Sequence, residues 1–286
     1  MTAIKQLTNT TIEEIHQTFA EAFSDYVEPF DLTVQQLSHM IERRGCDLNL
    51  SFGAFKEDKL VGFTLNGIGN WQGKLTAYDT GTGIIPEFRK QGIAKKIFAE
   101  SLPVLKEHNI VQYLLEVIKS NTGAYELYKK SGFCVTREFD YYITPIEKIV
   151  FPENNLNTKV RVLELEDAQW NLFTTFWDFE PSWQNSIYSI LRKKDYFKFL
   201  GLYEGNNLAG YGIIEKHTGD IPQMAISPNH RRKGFGKILL KNLIEYSESG
   251  IIKFINPEAD YKPFKNFMGS LNIEPGDGQY EMILEL

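Results

Sequence analysis

The chain has 286 residues, enough for one large or two medium domains, and its 42% hydrophobic and 24% charged content is that of an ordinary globular protein. A net charge of −6 argues against broad nucleic-acid binding, and no apolar run approaches the roughly 20 residues of a membrane-crossing helix. Two cysteines, Cys46 and Cys134, are too few for a disulfide framework and lack metal-ligand spacing. Both sit in or beside apolar stretches and read as reduced core thiols. No signal-peptide pattern opens the chain, so a cytoplasmic location is expected.

Ile4 to Leu7 reads as a short strand. Thr10 or Thr11 caps a helix from Ile12 to Phe23, whose apolar positions share one face. An acidic, aromatic loop follows, with Asp25, Tyr26, Glu28, Phe30 and Asp31. Thr33 and Gln36 form a capping box for a second helix that runs to about Arg44 and stops at Gly45. Leu50–Phe55 and Leu60–Leu65 pair across a tight turn. A glycine-rich connection holding Trp71 leads to a strand from Leu75 to Ile85, a basic turn, and a helix to about His108. Val111–Ile118 reads as a buried strand, Asn121 opens a helix that leaves at Gly132, and Phe133–Ile143 closes the module. Pro145, Pro152 and the run from Asn154 to Thr158 mark a linker. The pattern then restarts: a strand at Val160–Leu165, an aromatic helix with Trp170, Phe173, Phe176 and Trp177, a second helix near Ser182, and a hairpin from Phe199 to Ile214.

Two stretches carry the chemistry. Sliding the first by 142 places puts Ile84, Pro86, Arg89, Gly92 and Lys95 on Ile226, Pro228, Arg231, Gly234 and Lys237. The hairpins match at an offset of 148, so the first module holds about six extra residues, expected in the loop with Trp71. Each stretch reads as a strand ending at proline, a basic turn with glycine, and an amphipathic helix. A helix start leaves backbone N–H groups without partners and carries partial positive charge, which makes it an anion site. Glycine allows close approach, and Arg89, Lys90, Lys95, Arg231, Arg232, Lys233 and Lys237 surround the two turns with charge. The expected ligand is a diphosphate. A GxGxxG dinucleotide turn fits less well, and a Gly-Lys-Ser/Thr phosphate loop is absent.

Arg-x-x-Gly-x-Gly/Ala after such a strand resembles the acetyl-CoA signature of the GNAT-superfamily N-acetyltransferases. The resemblance spans most of the chain as two consecutive modules. It implies two α/β folds, each a mixed, bent sheet flanked by helices: a catalytic domain over 1–145, a linker over 146–159, and a degenerate domain over 160–286. It implies acetyl-CoA as cosubstrate, held by Ile84, Ile85, Arg89, Lys90, Gln91, Gly92, Ile93, Ala94 and Lys95, and in the second module by Arg231, Gly234 and Gly236. The segment from Asn121 to Phe133 resembles the family's Asn-x-x-Ala-x-x-Leu-Tyr-x-x-x-Gly-Phe block. By that resemblance Asn121 orders the cofactor arm and Tyr128 protonates the leaving thiolate. The second module has Phe267 or Met268 at the place of Tyr128, and neither donates a useful proton.

A base is also needed, because an amine arrives protonated at neutral pH. The resemblance implies a carboxylate on the fourth strand, where Asp79, ten places before Arg89, is the first candidate, with Glu116 on the fifth strand as the alternate. No metal is expected. The function expected is acetyl transfer to a primary amine of a small molecule or peptide by direct attack, in a monomer or homodimer without nucleic-acid or membrane partners. A non-catalytic acyl-CoA-binding or regulatory protein is the alternative.

Overall fold

The computed structural model describes residues 2–25, 32–151 and 160–286. The expectations for Tyr26, Glu28, Phe30, Asp31 and most of the linker therefore lie outside the described residues. Chain contacts divide into two compact units: one of Met1–Val117, Gly123–Thr136 and Glu281–Leu286, the other of Ile118–Thr122 and Arg137–Tyr280.

The first unit begins with β1 (Ala3–Gln6). Helix α1 (Ile12–Ala22) follows with Thr11 as its cap, and Glu14 completes a capping box. Helix α2 (Val34–Arg43) starts at the Thr33–Gln36 box. Both boxes satisfy N–H groups that a helix start otherwise leaves open. Strands β2 (Phe52–Lys56), β3 (Lys59–Trp71) and β4 (Lys74–Ile84) form an antiparallel meander with β1. The two-residue turns between them, Glu57-Asp58 and Gln72-Gly73, have positive φ at both positions, the twist that tight hairpins favour.

The glycine-rich stretch before Trp71 is strand, not connection. Its glycines admit a neighbouring backbone: a Cβ on Gly67 would meet Arg44 O at 2.3 Å. Asp47 N–H donates to Asn66 O and Ile68 N–H to Gly45 O, both at 2.9 Å. The extra residues of the first module thus lengthen the β3–β4 hairpin.

Helix α3 (Ile93–Glu107) crosses to β5 (Gln112–Ile118), which runs parallel to β4. Helix α4 (Thr122–Lys130) follows, and Gly132 leaves it at φ +97°. The core packs Ile15, Phe19, Leu37, Phe63 and Leu65 on one side and Phe52, Val61, Ile85, Ile93 and Ile97 on the other. Cys46 is part-buried, and burial pushes its thiol up to about 11. Cys134 is exposed, so it is not the core thiol that its apolar neighbours suggest.

In the second unit β6 (Cys134–Pro145), from Arg137 onward, pairs antiparallel with β11 (Ile251–Glu258). Strands β7 (Val160–Glu164), β8 (Phe197–Glu204), β9 (Asn207–Glu215) and β10 (Gln223–Ile226) form a second antiparallel meander. The aromatic segment expected as one helix is broken. It forms α5 (Trp170–Phe173) and a 3-10 turn at Thr174–Phe176, while the second helix expected near Ser182 opens as a 3-10 turn at Trp183–Asn185 and continues as α6 (Ile187–Arg192). Packing decides this: the Phe173 ring stacks on Tyr211 at 3.9 Å, and Phe176 is buried beside it. Helix α7 (Phe235–Leu243) follows the second basic turn, and α8 (Lys262–Gly269) precedes β12 (Gln279–Glu285).

The units are interleaved in sequence. Residues 137–145 of β6 belong with the second, and Glu281–Leu286 at the end of β12 belong beside β5 in the first. There Leu286 N–H donates to Val111 O at 2.9 Å, Glu285 pairs with Lys74 at 2.7 Å, and Glu281 accepts from Thr136 at 2.8 Å. A fragment of residues 1–145 lacks that strand and leaves a row of β5 backbone groups unpaired. We expect it to aggregate or to melt well below the full chain, and a peptide of residues 278–286 to raise its melting temperature. A stable 1–145 monomer melting like the full chain contradicts this assignment.

Candidate active site

The site of the first unit begins where two parallel strands part. β4 and β5 pair at Thr76–Gln112, Ala77–Tyr113 and Tyr78–Leu114, and the ladder stops there. The next residue of β4 is Asp79. One place further the β3–β4 register shifts, Asn66 facing Asp79 while Leu65 faces Gly81, so Thr80 is the extra residue of a bulge. Bulges re-aim side chains at such points.

Asp79 is half-buried, with its Oδ1 closed off from solvent and without a hydrogen-bond partner. Its Oδ2 accepts from Thr82 Oγ1 at 2.8 Å and from Tyr128 OH at 3.1 Å. Thr64 Oγ1 lies 3.0 Å from Thr82 Oγ1 and extends the chain of hydroxyls. Burial is the main cause that pushes the Asp79 carboxyl up to about 6; the Thr82 and Tyr128 hydrogen bonds pull the other way.

Tyr128 reaches Asp79 because α4 is docked by rings. Phe133, 2% exposed, meets Tyr128 edge-on at 5.6 Å and packs on Phe98 and Tyr113. Glu116 is placed differently: its Oε2 accepts from the buried Tyr78 OH at 2.9 Å. Burial, with Glu116 beside it, holds the Tyr78 phenol well above its ordinary range. Asn121 falls in the Ile118–Thr122 segment of the second unit, where its N–H donates to Ile118 O at 3.0 Å. The first unit therefore brings together Asp79, Thr82 and Tyr128. Nothing in the spacing marks Thr82; the bulge that turns it toward Asp79 is visible only in the pairing.

The basic turn lies beyond Ile84 and Ile85. Lys90 and Gly92 both take left-handed backbone, at φ +60° and +76°, and α3 starts at Gly92 without a side-chain cap. The second turn repeats this at Arg232 (+62°) and Gly234 (+83°) before α7. A Cβ on Gly92 would meet no heavy atom within 4 Å, so the backbone there is open to an approaching group. The N–H groups of Ile93, Ala94 and Lys95 stand at this helix start, with Lys90, Gln91 and Lys95 exposed around it. These features fit a diphosphate.

The two arginines do a different job from the one their charge suggests. Arg89 donates through Nε to Ile84 O at 3.0 Å, through Nη2 to Ala22 O at 2.6 Å, and with both Nη atoms to Asp25 at 2.5 and 2.8 Å. Its fork ties the end of α1 to the end of β4, and it holds the Asp25 carboxyl below its usual range. Arg231 repeats the clamp on Ile226 O, Phe176 O and Asp178. Both guanidinium groups are struts that shape the turn.

In the second unit, Ile221 occupies the place of Asp79 at the 142-residue offset and is buried. Met268 is buried, and the Phe267 ring would lie 3.2 Å from a Cβ on Gly236. No ionisable pair like Asp79–Tyr128 occupies these positions.

The geometry meets its relatives at this point. The model of the acetyltransferase (GNAT) family matches residues 12–133 and 162–260. N-alpha-acetyltransferase 30 of Schizosaccharomyces pombe is 33% identical over 95 residues, 32% of this chain and 63% of that protein. N-alpha-acetyltransferase MAK3 of Arabidopsis thaliana is 28% identical over 109 residues, 36% of this chain and 57% of that protein. The matched region thus spans less than two thirds of either relative. Among solved structures, a tandem GNAT protein from the clavulanic acid biosynthesis pathway superposes with a TM-score of 0.74 at 13% identity, covering 100% of this chain and 98% of that one. A putative acetyltransferase from Pyrococcus horikoshii gives 0.69 at 17% identity, covering 100% and 89%. These likenesses carry the fold, and the family match covers both halves: the chain belongs to the acetyltransferase (GNAT) family.

Proposed function

We propose that the first unit is an N-acetyltransferase that moves an acetyl group from acetyl-CoA to a primary amine by direct attack. Family membership and the N-alpha-acetyltransferase relatives support such an enzyme, and their names make a peptide α-amine the first acceptor to try. The observation that carries the reading is the shared Asp79 Oδ2, bonded to Tyr128 OH at the point where β4 and β5 part.

A base and an acid that touch can return a proton to each other. Asp79 takes a proton from the incoming ammonium, directly or through a water. The amine nitrogen bonds the acetyl carbon and the carbon–sulfur bond breaks. Tyr128 gives its proton to the departing sulfur and recovers one from Asp79. The nitrogen sheds its second proton to water, so the balance is ammonium plus thioester to amide, thiol and one released proton, with the enzyme unchanged. The turn from Arg89 to Lys95 holds the diphosphate, and holding both substrates together supplies about 7–11 kcal/mol of the barrier. Acid and base assistance adds roughly 10²–10⁴-fold each.

The test is thiol release from acetyl-CoA by the purified protein, with an amine panel that includes peptide N-termini. Release that depends on the acceptor supports the enzyme. Stabilisation by acetyl-CoA without release supports a carrier-binding protein instead. Tyr128→Phe should lower kcat by about 10²-fold without abolishing turnover, because positioning survives.

Wild-type kcat/KM should rise with pH through an inflection near 6, where Asp79 ionises, and Asp79→Asn should remove that inflection with most of the activity. The same burial has a stability sign. A carboxyl raised from near 4 to about 6 favours the fold below pH 4 and loses that contribution as pH climbs through 6. Asp79→Asn should therefore be more stable than wild type at pH 8, by up to roughly 3 kcal/mol, and lose the advantage at pH 4. Arg89→Lys cannot span Ala22, Ile84 and Asp25, so it should raise KM for acetyl-CoA severalfold more than it lowers kcat, checked by initial rates.

A further inference from the structure

The bulge that aims Asp79 is gripped from outside its own hairpin. Thr80 has no register partner on β3, because Asn66 faces Asp79 and Leu65 faces Gly81. The Thr80 carbonyl accepts from Arg44 Nη1 at 3.0 Å. Arg44 is half-buried and forms the C-cap of α2. A bulge interrupts the ladder, so a donor brought from elsewhere satisfies backbone that the ladder does not.

The residues after Arg44 hold the other side of the bulge. Asn66, opposite Asp79, is 0% exposed. Its carbonyl accepts from Asp47 N–H at 2.9 Å, its N–H donates to Ser51 Oγ at 2.9 Å, and its Nδ2 donates to Leu50 O at 2.6 Å. Tyr113 OH donates to its Oδ1. The Arg44 carbonyl lies against Gly67, where a side chain has no room. The stretch from Arg44 to Ser51 therefore clasps both strands where their register slips.

Charge gives this clasp a second consequence. The titratable groups around Asp79 are Tyr128 from α4, Tyr113 from β5, and Cys46 and Arg44 from the end of α2 and the connection after it. Glu116 lies one contact away, bonded to Tyr78, whose phenol also feels Arg44. Of these groups Arg44 alone is a cation. A positive charge in so dry a setting favours a carboxylate over its acid, and here it works against the burial of Asp79. We propose that Arg44 is a positioning residue for the transfer reaction: it fixes the bulge through the Thr80 carbonyl and sets its positive charge beside the Asp79 carboxylate. It acts through Asp79, so the inference rests on the reading of Asp79 as the base.

The test is a carboxyl ¹³C titration of Asp79 in variants of the full chain, with initial rates beside it. Arg44→Met removes donor and charge in a similar volume. The Asp79 midpoint should rise above the wild-type value, and the acidic limb of kcat/KM should move up in pH with it. At pH 8 kcat should fall roughly tenfold, because the bulge loosens, with KM for acetyl-CoA unchanged. Arg44→Lys keeps the charge and should keep the wild-type midpoint. If Arg44→Met does not fold, Arg44→Gln takes its place. Wild type gives a further reading: the Arg44 Nε resonance should titrate with the Asp79 midpoint and stop doing so in Asp79→Asn. The proposal is overturned if the midpoint stays put without the charge, if Arg44→Lys moves it as far as Arg44→Met, or if the Arg44 signal ignores Asp79. A moved midpoint in a protein that acetylates no amine counts against the transfer reading and not against the hold of Arg44 on Asp79.

Discussion

A carboxylate placed at the fork of two separating parallel strands is the constraint on which the first unit depends. While β4 and β5 pair, their backbone groups satisfy each other. Once they part, the space between them can admit a substrate, and the side chain at the fork loses water before it gains a partner. Asp79 sits there with one oxygen bonded twice and the other not at all. Burial, only partly offset by its hydrogen bonds, lifts its proton affinity toward neutrality, which is what the proposed role of a base requires. The bulge at Thr80 and the aromatic mooring of α4 serve the same end, since they bring Thr82 and Tyr128 to one carboxylate oxygen.

The second unit keeps the frame and changes the chemistry. Its strands separate in the same way, its turn has the same two left-handed residues, and Arg231 repeats the clamp of Arg89. At the fork, however, the ionisable pair gives way to Ile221 and to neutral amides from Asn185, Gln223 and Asn256. Groups that do not titrate near neutral pH can recognise a ligand but cannot trade protons with it. The proposed division of labour, transfer in the first unit and none in the second, would follow from residue type at a shared geometry.

Much of the frame was legible in the sequence because it rests on local rules. The first helix cap, which falls on Thr11 of the Thr10–Thr11 pair, the capping box at Thr33, the exit at Gly132 and the duplicated turns depend on near neighbours, and these appear where expected. What depends on distant pairing was not legible. The glycines before Trp71 resemble loop signals, but Gly67 is small because the Arg44 carbonyl packs against it. The aromatic segment after Trp170 has helical spacing, yet stacking on Tyr211 breaks it into short turns. The home of Glu281–Leu286 beside β5 is a long-range choice with no local mark. At the candidate site, resemblance singled out Asp79 and Tyr128, whose side chains the fold brings into contact. Thr82, the strut role of Arg89 and the unmet Oδ1 acceptors of Asn185 and Asn256 emerge only when the chain is folded.

The most direct test of this account is a carboxyl ¹³C NMR titration of the full chain, with the Asp79 signal assigned through Asp79→Asn. The account predicts a midpoint near 6, about two units above an exposed aspartate, that shifts upward when Tyr128→Phe removes a hydrogen bond to the ionised form. A midpoint near 4 that ignores Tyr128 contradicts it.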